Sequence, residues 1–294
     1  MRYKNESKEK SNGIIYTPME MADFLALEMI KFSKFDLKNA KEVNILDPAI
    51  GKGELILSMV SKILAINSDI LINIDGYETD ATVAAKTEHF IRKQFPSANV
   101  SIIARDFLEA IDNIDKKYNY IIANPPYIRT QILGASKAQE ISNKMNLSGK
   151  IDIYYAFLLY MKKILSDDGI SGYITSNKFF TIKSGSSVRD FMIGNYKIHS
   201  IVDFGDTKLF DASVLPCIIV FSNGRTTNPE EVNFTSIYES KNSTSPSSSI
   251  VSIFDSINKE GLYSLEDGRV FDYCQGHLHD VSKGALWVIA SKER

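Results

Sequence analysis

The sequence predicts an α/β fold built on a mostly parallel sheet. Short apolar runs recur at residues 43–47, 70–77, 100–104, 118–123, 170–175, 200–204 and 217–221, separated by stretches with helical apolar spacing. Runs that are apolar on both faces suit strands covered by helices on each side, the environment of a parallel sheet. Two of these runs also lead into turns of unusual chemistry. Asp47-Pro48-Ala49-Ile50-Gly51-Lys52-Gly53-Glu54 follows the first, and Asn124-Pro125-Pro126-Tyr127 follows the fourth. Ligands of open parallel sheets sit where strands end.

The elements follow in chain order. Thr17, Pro18 and Glu20 have the spacing of a T-x-x-E capping box with proline at the first helical position, and Met21, Phe24, Leu25 and Phe32 then share a face. Similar stripes run through Leu55, Met59 and Ile63, through Val83, Thr87, Phe90 and Ile91, and through Tyr154, Phe157, Leu158, Met161 and Leu165. The last stripe is expected to stop at Asp167-Asp168-Gly169, a helix end and turn. These stripes read as core. Residues 129–150 are polar, with Gly134 and Gly149, and predict a mobile loop beside the tetrapeptide. After Gly224 the character changes: 231–238 reads as one more strand, 241–249 as a linker or exposed loop, and the remainder has weak periodicity. The chain is therefore divided into residues 1–224 and a C-terminal extension, 225–294.

Composition bounds the function. With 294 residues, 44% hydrophobic and 24% charged, the chain can bury one large core with an appendage. No apolar stretch has the length of a membrane span, and the Lys-rich start leads into Gly13-Ile14-Ile15-Tyr16-Thr17-Pro18, not an apolar signal core, so neither membrane insertion nor secretion is expected. Two cysteines, Cys217 and Cys274, form no disulfide framework and fit a reducing cytoplasm. A net charge of −2 gives no global basic field, so any nucleic acid must be met by a local patch or a partner.

The tetrapeptide carries the most specific chemistry. Proline fixes φ and has no N–H, so consecutive prolines stiffen the turn and leave carbonyls without a neighbouring donor. Asn124 Oδ1 and the Pro125 carbonyl could each accept one N–H of a planar amine such as that of adenine. This would free the nitrogen lone pair while Tyr127 stacks on the ring. Pro125 and Pro126 also suffice simply to end a strand, with Tyr127 a half-buried aromatic.

The glycine turn supplies the second half. Gly51 and Gly53 let the backbone approach a ligand closely, and the turn is not a nucleoside-triphosphate loop, because Lys52 is followed by Gly53. The second strand ends in Glu78-Thr79-Asp80: Glu78 is placed to accept ribose hydroxyls, and Asp80 to cap the next helix. The third ends in Arg105-Asp106-Phe107, a carboxylate for an exocyclic amine beside an aromatic wall. Each acid alone also reads as a cap or solvated charge. Cys274, His277 and His279 have metal-like spacing but no clear fourth ligand, and no metal site is assigned.

Taken in order from Gly13 to Phe221, these motifs resemble the gamma-class adenine-N6 DNA methyltransferases of type II and IIG restriction-modification systems. The resemblance implies a Rossmann-like S-adenosylmethionine-dependent methyltransferase fold, with an antiparallel last strand, over residues 1–224. Residues 225–294 would begin a target-recognition region. It implies that Thr17 and the helix behind it hold the methionine carboxylate of S-adenosylmethionine. Asp47, Pro48, Ala49 and Gly51 would line the methionine end, Glu78 the ribose, and Asp106, Phe107 and Phe157 the adenine. Asn124, Pro125, Pro126 and Tyr127 would be catalytic, with Asn124 also facing the cofactor. Val202-Asp203-Phe204-Gly205 through Phe210 and Ser213 looks like the late element that places an aromatic over the flipped base, so Phe210 would stack opposite Tyr127; by position alone it is equally a core phenylalanine. One departure concerns affinity. The family's turn usually reads Asp-Pro-Ala-Cys-Gly-Ser-Gly, whereas this chain has Ile50 and Lys52, and a cation beside a sulfonium weakens binding unless it points to solvent.

Double-stranded DNA is the implied substrate. Methyltransferases acting on protein glutamine or on RNA share the tetrapeptide, and a non-catalytic subunit of a restriction complex is a third reading. The short tail leads us to expect weak target recognition by this chain alone, with a specificity or restriction subunit, or a continuation beyond Arg294, supplying the rest.

Overall fold

The computed structural model of the protein describes residues 17–127, 139–140, 142–143, 153–207, 215–240 and 246–291. The chain divides into two compact units, Met1–Tyr173 and Ile174–Arg294. The boundary expected at Gly224 thus falls inside the second unit.

The first unit holds α1 (Met19–Phe32), β1 (Glu42–Asp47), α2 (Glu54–Ile66), β2 (Leu71–Glu78), α3 (Ala81–Gln94), β3 (Asn99–Ala104), the single turn α4 (Phe107–Ala110), β4 (Tyr118–Ala123), α5 (Ile153–Ile164) and most of β5 (Leu165–Ser176). Its strands lie in the order β3-β2-β1-β4-β5, and every pairing is parallel. The register sets Asp47 beside Gly76, Glu78 beside Ala104 and Ala123 beside Tyr173, so the carboxyl ends gather along one edge. The apolar runs are buried as a doubly covered sheet requires: Val43, Ile45 and Leu46 in β1 and Tyr120 to Ala123 in β4 are shielded from solvent.

The helices show which local signals held. In α2, Leu55, Ile56, Met59, Val60 and Ile63 are buried at helical spacing behind Gly53, whose φ of 87° suits glycine. Helix α1 buries Met21, Ala22, Leu25, Ala26 and Met29, leaving Phe24 and Phe32 half-buried. It is tied to α2 by a hydrogen bond from Ser58 to Asp23 and by the Lys62–Asp23 ion pair at 3.1 Å. In α3, Asp80 caps through bonds to the amides of Thr82 and Val83, while Phe90, expected on the packed face, is 42% exposed.

Two expectations are corrected. Thr17 does not cap α1. Pro18 holds the cap position, so the helix begins at Met19 and Thr17 stands one residue ahead of the cap, where its hydroxyl accepts from Asn124; no side-chain cap bond forms. Helix α5 ends at Ile164, and Asp167-Asp168-Gly169 lies within β5, where pairing to β4 jumps from Tyr118↔Leu165 to Tyr120↔Ile170. The turn-like residues form an irregularity in the strand.

The second unit carries the end of β5, then α6 (Ser186–Asn195), β6 (Tyr196–Asp203), β7 (Pro216–Asn223), β8 (Asn233–Glu239), β9 (Ser248–Ile250), β10 (Gly261–Leu265), β11 (Val270–Leu278) and β12 (Ile289–Ser291). Strand order is β5-β7-β6-β8-β11-β10-β9, with β12 on β11. Strand β7 runs antiparallel to β6, and β8 parallel to it. Strand β9 begins at the end of the stretch read as linker, most of which is outside the described residues. The weak periodicity after residue 249 conceals a small, mainly antiparallel array in which β11 pairs with β8, β10 and β12. Arg189 is 2% exposed and satisfies its charge by donating to the carbonyls of Phe179, Ile182, Gly284 and Ala285.

Gly172 of β5 underlies α1. A Cβ there would meet Met29 Sδ at 2.3 Å and Leu25 Cδ1 at 2.7 Å, both side chains fully buried. Gly172→Ala should therefore overpack this layer and cost about 1–3 kcal/mol. The urea midpoint should fall with little change in slope; an unaltered midpoint would show that α1 recedes without penalty.

Candidate active site

All of the residues named for the cofactor line one cavity of about 300 Å³ at the carboxyl edge of the first unit. Thr17 enters from the chain ahead of α1, Asp47 from the end of β1 and Pro48 to Gly51 from the turn behind it, Glu78 from β2, Asp106 and Phe107 from the start of α4, Asn124 from the residue after β4 and Phe157 from α5. Pro126 lines it as well, whereas Pro125 and Tyr127 stand outside the wall. Phe210 and Ser213 lie outside the described residues, as does most of the loop expected at 129–150.

The turn is held by few bonds. Asp47 Oδ1 accepts from the Ala49 amide at 3.0 Å, Ile50 N donates to the Tyr77 carbonyl at 2.9 Å, and Gly53 N closes onto the Ile50 carbonyl at 2.8 Å. Thr87 of α3, read from the sequence as core, donates to the Gly51 carbonyl at 2.6 Å and fixes the turn from outside. The two departures from the family pattern have separate explanations. Ile50 is 3% exposed, and a Cβ on Gly76 would lie 2.7 Å from its Cδ1, so the absence of a side chain at 76 makes room for the larger residue at 50. Lys52 is exposed at the rim, where its charge acts on Glu54.

The aromatic wall is larger than expected. Phe107 and Phe157 stack at 5.5 Å with an interplanar angle of 22°, and Tyr77 meets Phe107 edge-on at 5.3 Å. Tyr77, Glu54, Arg105 and Ile153 were not assigned from the sequence, yet they line the cavity. Their strand-end and helix-start positions were the available signal. Asp106 spends one oxygen on the Leu108 amide at 2.9 Å, so its capping role holds alongside its place in the wall.

The Asn124 amide is bonded at both ends. Its Nδ2 donates to Thr17 Oγ1 at 3.0 Å, and its Oδ1 accepts from the Tyr127 hydroxyl at 3.0 Å. An amide oxygen has two lone pairs, so Tyr127 occupies only one of them. The Tyr127 ring lies 6.2 Å from that of Tyr154. In the second unit the late element places Asp203 at the end of β6, accepting from Asn177 at 2.7 Å, the Gly205 amide at 3.0 Å and the Tyr238 hydroxyl at 2.8 Å. Among the described residues no group of three or more His, Cys, Asp or Glu side chains could hold a metal, and no helix is long and apolar enough to cross a membrane.

A family model described as the Eco57I restriction-modification methylase matches residues 28–210. The chain belongs to this family. It is 35% identical over 97% of its length to the type II methyltransferase M.BanIII of Aneurinibacillus aneurinilyticus, and 27% identical over 68% of its length to M.VspI of a Vibrio strain. The chain spans about half the length of these curated relatives, 52% of the first and 46% of the second. A Listeria monocytogenes protein assigned to the class I S-adenosylmethionine-dependent methyltransferases shares the fold, with a TM-score of 0.61 at 16% identity over 79% of this chain and 68% of that one. So does the type IIG restriction endonuclease BpuSI, with a TM-score of 0.57 at 16% identity over 77% of this chain and 27% of its own.

Fold and family together imply S-adenosylmethionine as the cofactor, and the cavity fits it. Stacked aromatics suit a nucleobase, Glu78 at a strand end suits a ribose, and acidic groups around the glycine turn suit the cationic end of the molecule.

Asp47 is 1% exposed, and burial pushes its carboxyl up to about 8, assisted by the charges of Glu54 and Glu78 and opposed by the Ala49 amide. Burial also raises Glu54. A carboxyl raised on folding stabilises the native state fully below the ordinary value of 3.8, and this contribution is lost as pH rises through about 8. Asp47→Asn keeps the oxygen that accepts from Ala49 and removes the titration. The stability of the variant relative to wild type should thus rise as pH climbs from about 4 to about 8 and level off above that in urea titrations of the free protein, and a pH-independent difference would contradict the burial of a titrating carboxyl.

Proposed function

We propose that this chain transfers a methyl group from S-adenosylmethionine to the N6 amino group of adenine in double-stranded DNA, as the catalytic part of a cytoplasmic restriction-modification or defence system. Residues 1–224 carry the transfer chemistry, and residues 225–294 open the target-recognition region. The observation that carries this reading is the doubly bonded Asn124 amide at the wall of the cavity, one end on Thr17 and the other on Tyr127.

The bound cofactor supplies an electrophilic methyl group. The protein's own work is to bind, orient and exclude water. Extruding a base from the duplex costs a few kcal/mol of stacking and pairing. Stacking on Tyr127, with Phe210 proposed for the opposite face, returns roughly 1–3 kcal/mol per base. Asn124 Oδ1 and the Pro125 carbonyl accept the two N–H bonds of the amine, drawing the nitrogen toward tetrahedral geometry with its lone pair aimed at the cavity. Because these acceptors are fixed by the two prolines and by Thr17, the amine would be held in this geometry with little reorganisation.

The same acceptors would suit a glutamine amide of a protein or an RNA adenine. The DNA reading is favoured by the restriction-modification family to which the chain belongs. Target choice is proposed to depend on a partner subunit or further chain, since the chain spans about half the length of its curated relatives.

Methyl-labelled cofactor supplied with duplex DNA, RNA and a glutamine-containing release factor in parallel should label DNA, and nuclease digestion should recover the label as N6-methyladenine. Label confined to RNA or protein would overturn the assignment. Asn124→Ala should lower the rate by a factor of about 10² to 10³, and an unchanged rate would return the chain to the non-catalytic reading.

A further inference from the structure

A second cavity, of about 400 Å³, lies wholly within the second unit and shares no residue with the cofactor cavity. It is lined from the carboxyl ends of two parallel strands, where Asp203 closes β6 and stands in register with Ser236 of β8. Open sheets bind ligands at such ends. Its walls are braced. Buried Arg189 donates to the carbonyls of Phe179 and Ile182 and to those of Gly284 and Ala285, and the Trp287 amide donates to the Phe180 carbonyl at 3.0 Å.

One carboxylate fixes two of the lining groups. Asp203 is 7% exposed; its Oδ1 accepts from Asn177 Nδ2 at 2.7 Å, and its Oδ2 from the Tyr238 hydroxyl at 2.8 Å. Asn177 thus spends the donor end of its amide on Asp203, and Oδ1 is the end left to accept from a ligand. Tyr238 is supported from behind. A Cβ on Gly205, whose φ is 46°, would lie 2.5 Å from Cδ1 and Cε1 of this ring and 2.9 Å from its Cγ, so the backbone there packs against the ring. The residue is nevertheless 44% exposed. A ring tethered at its hydroxyl, backed by a glycine and still open to solvent is a platform built before any ligand arrives. Lys178 brings a positive charge to the same cavity: it is exposed and makes no ion pair among the described residues.

We propose that this cavity binds an unpaired nucleotide of a DNA strand, with the base on the open side of Tyr238, a base N–H on Asn177 Oδ1 and the phosphate on Lys178. Aromatic platforms beside cations hold single strands with little regard to sequence, because every base has a π-face. The choice of DNA as the polymer rests on the reaction proposed above, which unpairs a duplex. The nucleotide site itself is a property of these side chains.

The test uses the whole chain and a single-stranded oligodeoxynucleotide carrying 5-iodouracil, a base that cross-links under near-ultraviolet light to aromatic rings stacked on it. Mass mapping should place the adduct on Tyr238. The free nucleotide 5-iodo-2′-deoxyuridine monophosphate, at the same nucleotide concentration, should label it far less. In anisotropy titrations Tyr238→Ala should weaken strand binding roughly 5- to 150-fold, the range for one stacked base, and Tyr238→Phe should stay within a few-fold of wild type. Lys178→Gln should reduce the slope of log affinity against log salt by about 0.7, the share of one phosphate contact.

A strand that binds and cross-links elsewhere while Tyr238 stays unmodified would overturn the inference, and this result requires no variant to fold. So would equal labelling by the free monophosphate, a wild-type affinity in Tyr238→Ala, or an unchanged salt slope in Lys178→Gln. Should wild type transfer no methyl group to DNA while Tyr238 cross-links as described, the functional reading fails and the site stands.

Discussion

Strands β1 to β4 run in one direction with a register that stops them near the same level, and every chemical feature of the first unit follows from that alignment. A parallel sheet needs a crossover between successive strands, so each carboxyl end releases its chain into a turn before a helix or loop begins. Those turns hold backbone groups that the ladders no longer satisfy, and polar side chains are recruited to meet them. Asp47 accepts from Ala49, Asp80 from Thr82 and Val83, Asp106 from Leu108. Two of these acids, Asp47 and Asp106, also line the cavity, whereas Asp80 serves the helix alone.

The lining residues divide the labour of the cavity. Phe107, Phe157 and Tyr77 make an apolar wall that suits a flat ring. Glu78 bends back to accept from the Asp80 amide at 2.9 Å, which fixes the carboxylate at the end of β2. At the opposite side Asn124 stands at the last position before two prolines, so the backbone there cannot swing to a new acceptor. Asp47 sits beneath these groups at the cost of an unfavourable burial, which a cationic ligand would relieve. Sites commonly store such local disadvantage where a ligand corrects it.

Much of the first unit was legible because parallel strands covered on both faces leave unbroken apolar runs, and because capping acids and glycines mark where those runs stop. The failures have physical causes. Thr17 was read as a cap from its spacing to Glu20, but the helix begins at Met19 and Thr17 instead meets Asn124, more than a hundred residues away in sequence. The turn residues at 167–169 ended no helix, since strand pairing to β4 absorbed them. Thr87 was counted as core because its helix face is packed; its hydroxyl, which pins the glycine turn, left no mark in the apolar pattern. In the second unit, β9, β10 and β12 are only three to five residues long, and the longer β11 loses its alternation after Tyr273, so no period dominates and their pairing became evident only with the fold.

The central claim is that a nucleoside cofactor lies along these strand ends with its reactive end at Asn124. A crystal structure of the chain with S-adenosylhomocysteine tests it most directly. The adenine should rest against Phe107 and Phe157, the ribose hydroxyls on Glu78, and the sulfur should face the Asn124 side of the cavity. A ligand bound elsewhere, or an Asn124 side chain turned away from the sulfur, would contradict it.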